Sequence, residues 1–289
     1  MWLPVICITL ISIIIGVIIW ITYIRSYYNW IPAFIDNPLS GNISNIKTLK
    51  PILPKNCNKT FGAADPFIVN GYVFAELMKK GKGILNKNKG IIAVAKITDT
   101  VLDFKPIIEE SFHMSYPYVF KHSENWYMIP ETYQSGSILL YKATSFPYKW
   151  EKVGSIYEID GMDSIPFYLN NKWYIFTSSV KTGETLIITT DNFPSGPWTV
   201  ERKKPLPKGY RGGGQALYID GEVLLPLQPP STLLHGYGWK LELFKINNGL
   251  IFHKTKTLLP PDKAGGLHHL SYDHSTGKYM VDLRHYLKN

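Results

Sequence analysis

Cysteine is nearly absent from this chain of 289 residues, with Cys7 and Cys57 as its only two. Cys7 sits inside an apolar run and Cys57 stands alone in the remainder, so an intradomain disulfide is excluded and a reducing compartment suits the chain better than a secreted one. Charge is missing from residues 2–24, where Ile, Val, Leu and Trp dominate. At 1.5 Å per residue such a run crosses a hydrocarbon core of about 30 Å. A cleavable signal peptide is disfavoured, because a basic leading region is lacking, the run is too long, and no small-x-small site precedes Arg25. We therefore expect a retained single-pass anchor over residues 1–30. Arg25, Tyr27, Tyr28 and Trp30 follow the run as cation and rings of the kind that settle among headgroups.

The side of the membrane is read from opposing signals. Arg25 on the C-terminal flank favours a cytoplasmic catalytic domain by the positive-inside rule. The sequons Asn42-Ile43-Ser44 and Asn58-Lys59-Thr60 point the other way. We take the cytoplasmic face as the expectation. The net charge of +9 is spread through stretches such as 79–89 and 202–208. A basic helix and a nucleic-acid module are both lacking, so this charge reads first as a solvated surface, and second as attraction for an anionic ligand or headgroup. No nucleic-acid partner is expected.

Helical periodicity is also scarce beyond residue 60. In its place a unit recurs: an apolar strand, a turn with Asn, Gly or Asp, and a second strand rich in aromatic residues. Pro66-Phe67-Ile68-Val69-Asn70-Gly71-Tyr72-Val73-Phe74 is the first copy. Corresponding segments start at Pro117, Pro166, Ala216 and His269, in steps of about 50 residues, a period typical of propeller blades. Each hairpin reads as the inner two strands of a blade, with further strand pairs between them. The expected fold is thus all-β, a five-bladed β-propeller over residues 31–289 preceded by one N-terminal transmembrane helix. The last unit ends too early for its own outer strand, so residues 31–60 are expected to supply linker and closing strand. A kelch-like array or a β-sandwich is the competing architecture, and a sandwich has no reason for such a period.

The residues that start the inner strands collect at one mouth of a propeller's channel. Those positions hold Asp65, Ser115 and Tyr116, Asp163, then Arg211, Gly213, Gly214 and Gln215, and finally His268 and His269. A purely structural repeat would place one residue type at each point; here acids, an arginine and histidines converge. A turn-capping role for Asp65 and Asp163 is the plain alternative. Glu76 and Glu131 end second strands and face either the channel or water. Asp282, Arg284 and His285 read as a terminal ion cluster.

These residues resemble known families. Ala64-Asp65-Pro66-Phe67 resembles the first-blade motif of five-bladed glycosidases of the arabinanase and β-xylosidase type, where that Asp is the general base. Asp163-Ser164-Ile165-Pro166-Phe167 with Asn171-Lys172-Trp173-Tyr174 resembles their third-blade motif, where the Asp tunes the acid and orients substrate. Ser115-Tyr116-Pro117-Tyr118-Val119-Phe120, Tyr127-Met128-Ile129-Pro130-Glu131-Thr132 and Ala143-Thr144-Ser145-Phe146-Pro147 resemble a narrower group over roughly residues 60–286. That group is the propeller domain of plant glucosamine inositolphosphorylceramide transferases with its bacterial and viral relatives. Among these are short membrane-tethered proteins of giant algal viruses (chlorovirus-type), including a xylosyltransferase acting on capsid glycans.

One absence separates this chain from the glycosidases. Their fourth blade carries a general-acid Glu, whereas Arg211-Gly212-Gly213-Gly214-Gln215 holds no carboxylate. A glycosidase needs a proton donor for its alcohol leaving group. A nucleotide diphosphate leaves without one and needs charge stabilisation, which Arg211 and the backbone N–H groups of the glycine run can supply. A tight turn is the plain reason for the same glycines.

The resemblance therefore implies a glycosyltransferase that moves a sugar, a pentose such as xylose, from a nucleotide sugar to a glycan or glycolipid acceptor. Asp65 would be the base, with Asp163 and Glu131 beside it. Arg211, Gln215, His268, His269 and Tyr116 would bind substrate. The alternatives are a glycoside hydrolase with Glu131 as displaced acid, and a non-catalytic carbohydrate-binding propeller. The Asp-x-Asp pair that would hold a divalent metal under a diphosphate is lacking at the strand ends, Asp160-Gly161-Met162-Asp163 being the nearest substitute. The nucleotide sugar is the one cofactor-like ligand expected, and a metal is left open.

Overall fold

The computed structural model describes residues 28–286 apart from 82–87 and 233–234, together with Gly16. The apolar run expected to cross a membrane lies outside the described residues apart from Gly16. Among the described residues no helix is long and apolar enough to cross one.

Five antiparallel sheets follow one another along the chain as blades. Blade one runs Ala63–Val69, Tyr72–Lys79, Lys89–Lys96 and Lys105–Ile108, from the inside out. Blade two is Ser115–His122, Asn125–Glu131, Ile138–Ser145 and Lys149–Tyr157. Blade three is Gly161–Leu169, Lys172–Ser179, Thr185–Thr190 and Thr199–Lys203. In blade four the inner strand is split into Arg211–Gly212 and Leu217–Ile219, followed by Glu222–Gln228, Leu241–Ile246 and Phe252–Leu258. The five-bladed propeller read from the repeat is the architecture observed.

Local chemistry explains the hairpins. Asn70-Gly71, Asn170-Asn171 and Asp220-Gly221 all have positive φ at both residues, the type I′ turn whose twist matches that of the flanking strands. The inner two strands of each blade are buried on both faces, so they read as nearly continuous apolar and aromatic runs rather than as alternation.

Closure of the ring comes from the N-terminal side. Gly266–Asp273 and Lys278–Tyr286 form the inner half of blade five, and Tyr28–Ile35 and Lys47–Thr48 complete it. Tyr28–Ile35 pairs antiparallel with the last strand over its whole length, from Tyr28 opposite Tyr286 to Ile35 opposite Tyr279. The closing strand thus begins ahead of residue 31. Trp30, which read as a headgroup-facing ring, is instead buried inside the propeller. An apolar run followed by aromatics looks the same in a sequence whether the rings meet lipid or a distant strand.

One irregularity recurs in every blade that contributes to the channel mouth. Asp65, Tyr116 and Asp163 have φ of 50°, 47° and 44°, and Gly214 has φ of 140°. Blades one, three and five shift register across this point, between Ala64 and Phe67, Met162 and Ile165, and Leu267 and Leu270. A bulge of this kind turns a side chain away from the sheet face that alternation would assign it. Left-handed backbone at non-glycine residues costs of order 1–3 kcal/mol and concentrates at functional sites.

Gly214 shows how tightly the bulge is held. Its N–H donates to the Tyr116 hydroxyl and its carbonyl accepts from that hydroxyl, both at 2.7 Å. A Cβ added there would lie 1.9 Å from the Leu270 carbonyl oxygen. Gly214→Ala is therefore expected to lower stability by about 1–3 kcal/mol or more, by overpacking and strain together. Denaturant titration checks this; an unchanged midpoint would mean that blades four and five are not in such contact.

Candidate active site

The bulges turn acidic side chains from several blades toward one mouth of the channel. Asp65, Asp163, Glu131 and Glu76 are all buried, Asp65 at 4% and Asp163 at 1% exposure. Burial without pairing penalises the ionised form, so the partners of each acid decide its state.

Asp65 belongs to a chain of three groups. His268 Nδ1 lies 2.7 Å from the Asp282 carboxylate, and its Nε2 lies 3.4 Å from Asp65 Oδ1. Asp282 Oδ2 also accepts the Asp65 N–H at 3.1 Å, and Asp65 Oδ2 accepts the Tyr116 N–H at 3.3 Å. Asp65 Oδ1 is buried and has no hydrogen-bond partner. Burial pushes the Asp65 pKa up, His268 pulls it down, and Asp163 and Asp282 push it up again, leaving it at about 7. For His268, burial alone would lower the pKa, but the Asp282 and Asp65 carboxylates outweigh it and the net direction is up. The imidazole stacks on the Trp30 ring at 3.8 Å and 11°, which fixes its plane.

Asp163 belongs to a second group. It accepts from Arg211 Nε and, at 3.3 Å, from Gln228 Nε2. Its own N–H donates to Glu131 Oε2 at 3.1 Å, while Glu131 Oε1 accepts from the Ser115 hydroxyl at 2.9 Å. Burial raises the Asp163 pKa, Arg211 lowers it and Glu131 raises it, to a net value of about 7. Arg211 lies 4.9 Å over the Tyr237 ring and 3.8 Å from Glu131. Glu76 sits beside His113 at 3.3 Å, and burial, then Asp65 and Glu131, push its carboxyl well up.

Like charges this close cannot all ionise together. The cluster retains protons at neutral pH and can accept or donate one near pH 7, the condition for general acid–base work. A cation offers a different way to balance the charge. Asp65, His268 and Asp282 place ligand atoms within 4.8 Å of one another, the one such group among the described residues. Metal ligation needs a neutral histidine, and here the two carboxylates favour the protonated ring. The trio fits a proton-holding relay better than a metal centre.

The structure thus brings together Asp65, Asp163, Glu131, Arg211 and His268 from the expected residues, with Tyr116 supplying its N–H. Two others take no hydrogen bond in the cluster. His269 borders it, with Nδ1 3.9 Å from Asp65 Oδ1, but is buried against Phe67 and Tyr116 with neither ring nitrogen hydrogen-bonded, and burial, reinforced by His268, holds it neutral. Gln215 lies beyond the Gly214 bulge, where its Oε1 accepts the Tyr272 N–H at 3.0 Å. Gly214, standing between Arg211 and Gln215 with left-handed backbone, separates residues that look contiguous in the sequence.

Sequence reasoning missed Asp282, Gln228, Trp30 and Tyr237 as members. Asp282 and Gln228 stand on second strands beside the start of the inner strand, as Glu76 and Glu131 do, so a polar residue recurring at that register was the available signal. Tyr237 comes from the connection after Gln228, whose carbonyl accepts from Arg284 at 2.6 Å and whose ring meets His268 at 5.1 Å. No pattern in the repeat marks it.

Solved structures with the same architecture are sugar-processing proteins. A β-1,2-mannobiose phosphorylase from Listeria innocua matches with a TM-score of 0.58 and 13% identity, covering 88% of this chain and 96% of that one. Zg3597, a family 117 glycoside hydrolase from Zobellia galactanivorans, matches with a TM-score of 0.54 and 12% identity, covering 82% and 87%. At these identities the likeness shows the fold alone. In sequence, glucosamine inositolphosphorylceramide transferase 1 of rice (Oryza sativa subsp. indica) is 27% identical over 233 residues, which is 74% of this chain and 31% of the relative. The Arabidopsis thaliana protein of that name is 29% identical over 200 residues, 63% of this chain and 25% of the relative. This chain therefore spans about a third or less of these relatives' length. A family model described as glucosamine inositolphosphorylceramide transferase 1, N-terminal, matches residues 46–255. On that match, which takes in blades one to three and most of blade four, the chain belongs to the family of glucosamine inositolphosphorylceramide transferase N-terminal propellers.

Proposed function

We propose that this propeller carries a glycosyltransferase site, moving a sugar from a nucleotide-sugar donor to a glycan or glycolipid acceptor. The observation that carries the reading is a buried acid poised near pH 7, Asp65, in one cluster with a cationic group, Arg211, ion-paired to Asp163 at the point where the resemblance to the propeller glycosidases implies an acidic one. The relatives' names, which describe transfer to a ceramide-bearing glycolipid, point the same way.

In this reading Asp65 takes the proton of the acceptor hydroxyl while that oxygen attacks the anomeric carbon. The His268–Asp282 pair holds Asp65 in place and spreads the proton's charge. Arg211 is fixed through Nε on Asp163, and its terminal nitrogens, near Glu131 but without a hydrogen bond, face the departing diphosphate. Asp163 and Glu131 orient the guanidinium. A pentose donor is the expectation carried from the viral relatives. An anchor in the apolar run ahead of the closing strand, which takes up residues 28–30, would with the domain on the cytoplasmic face hold the site near membrane-bound acceptors.

A hydrolase is the second reading, favoured by Glu76, a buried carboxyl that retains its proton and stands near Asp65. The two are separated by thermal melting of the full chain with nucleotide sugars, free nucleotides and oligosaccharides. A ligand at about a hundred times its Kd adds roughly 2.7 kcal/mol, easily seen as a raised midpoint. Stabilisation by one nucleotide sugar, weaker with its bare sugar, is the expected result. Stabilisation by oligosaccharides alone would overturn transfer in favour of hydrolysis or plain binding. Arg211→Ala is expected to cost turnover on the order of 10²–10³-fold, the usual loss of one charge-stabilising donor. Turnover at the unaltered rate would remove Arg211 from the mechanism.

A further inference from the structure

The inner strands all run the same way through the ring, so their last residues gather at the mouth opposite the acidic cluster. Residues from all five blades line a cavity of about 670 Å³ there, among them Asn70, Lys121, Tyr168, Trp173, Tyr218 and His274. None of the residues that line it belongs to the acidic cluster. Phe67, Tyr116 and His269 fill the channel between them, fully buried, with ring centroids 4.3–5.5 Å apart.

Its walls are aromatic, and two rings are left open. Tyr168 and Tyr218 are 43% and 46% exposed, both in the lining of one cavity. Their faces suit the C–H face of a sugar ring. The polar groups are unbalanced toward donors. The Tyr218 hydroxyl accepts from Tyr168 N–H at 2.7 Å and the Tyr118 hydroxyl from Ala216 N–H at 3.0 Å, so both keep a proton to give. Gln215 spends its oxygen on Tyr272 and keeps its amide protons. Trp173 Nε1 is buried with no acceptor.

Acceptors are scarce by comparison. Asp273, the carboxylate in the lining, is saturated by the N–H groups of Asn70, Gly71 and Ser275 and by two hydroxyls. Lys121 adds a positive charge, paired with Glu124 at 3.5 Å. A site of 300–1,000 Å³ with aromatic walls and spare donors calls for a ligand rich in acceptors.

We propose that this cavity is a second binding site, taking a saccharide that carries an anionic group, either a carboxylate or a phosphate. It stands independently of the transferase reading, since it shares no residue with the acidic cluster.

The test is calorimetric titration of the full chain with glucuronic acid, glucose 6-phosphate, glucose and inorganic phosphate. One or both acidic sugars bind, and glucose and phosphate bind at least about tenfold more weakly, some 1.4 kcal/mol. Which acidic sugar binds distinguishes the carboxylate from the phosphate. Tyr218→Ala and Lys121→Gln each weaken that binding about tenfold, and Asp163→Asn leaves it unchanged. Tyr218→Phe, which keeps the ring and loses only the donor, gives a smaller loss and guards against a folding defect. Absence of binding by either acidic sugar overturns the proposal. So does glucose binding as well as they do, indifference to both Tyr218 variants, or loss of binding in Asp163→Asn.

Discussion

Asp65→Asn is expected to lower turnover by about 10²–10⁴-fold, the range for removal of a general base, while making the protein more stable. The two effects share one cause. Burial and the neighbouring acids raise the Asp65 pKa from 3.8 to about 7, so the fold prefers the protonated form. The unfolded chain ionises from about pH 4 upward, and that ionisation works against the native state until about pH 7, where the native carboxyl ionises too. An amide carries no such cost and tolerates the left-handed backbone of this position. The gain is thus absent below pH 4, grows through the interval and levels off above pH 7. Each pKa unit is worth about 1.4 kcal/mol, so the ceiling is about 4 kcal/mol, reduced by the lost contact with His268. Melting curves at pH 4 and pH 8 check this. Destabilisation at both pH values would make Asp65 a structural residue. In the unaltered protein the same ionisation makes kcat/KM rise with pH to a plateau above about 7.

Trp30→Ala is expected to cost about 3–5 kcal/mol of stability, the range for emptying a buried aromatic site. Trp30 stands on the strand that closes the ring and is 1% exposed. Its loss acts on the site as well, because its ring is the platform under His268. Trp30→Phe serves as the paired measurement, since it refills most of the space. It is expected to recover most of the stability and part of the activity. Full activity in both variants would show that the plane of His268 does not matter to turnover.

The architecture was legible because it repeats. The recurring aromatic hairpin and its spacing exclude a sandwich, and the early end of the last unit calls for a closing strand from the other terminus, which Tyr28–Ile35 provides. The site was legible where it obeys the repeat, as at Asp65, Asp163, Arg211 and His268. Elsewhere, local backbone decides. Gly214 turns the chain through a left-handed bulge, so Gln215, four residues from Arg211, ends near Tyr272 at the other side of the channel plug. Trp30 was misread because its partner strand lies at the far end of the chain, and Asp282 because a charged pair near a terminus resembles a solvated ion cluster. Contact with His268, by stacking for Trp30 and by a hydrogen bond for Asp282, is what gives each its place.

The closing seam has a mechanical side. Tyr28 and Tyr286 face one another at the same end of an antiparallel strand pair. Tension between the two ends of the propeller would load that pair one rung at a time, as a zipper, rather than shearing all rungs together. Rungs would open in order from Tyr28–Tyr286, and Trp30–Arg284 is the third. A short peel therefore lifts Trp30 off His268 while the other four blades remain intact, so a pull on this seam would silence the acidic cluster before it unfolds the domain.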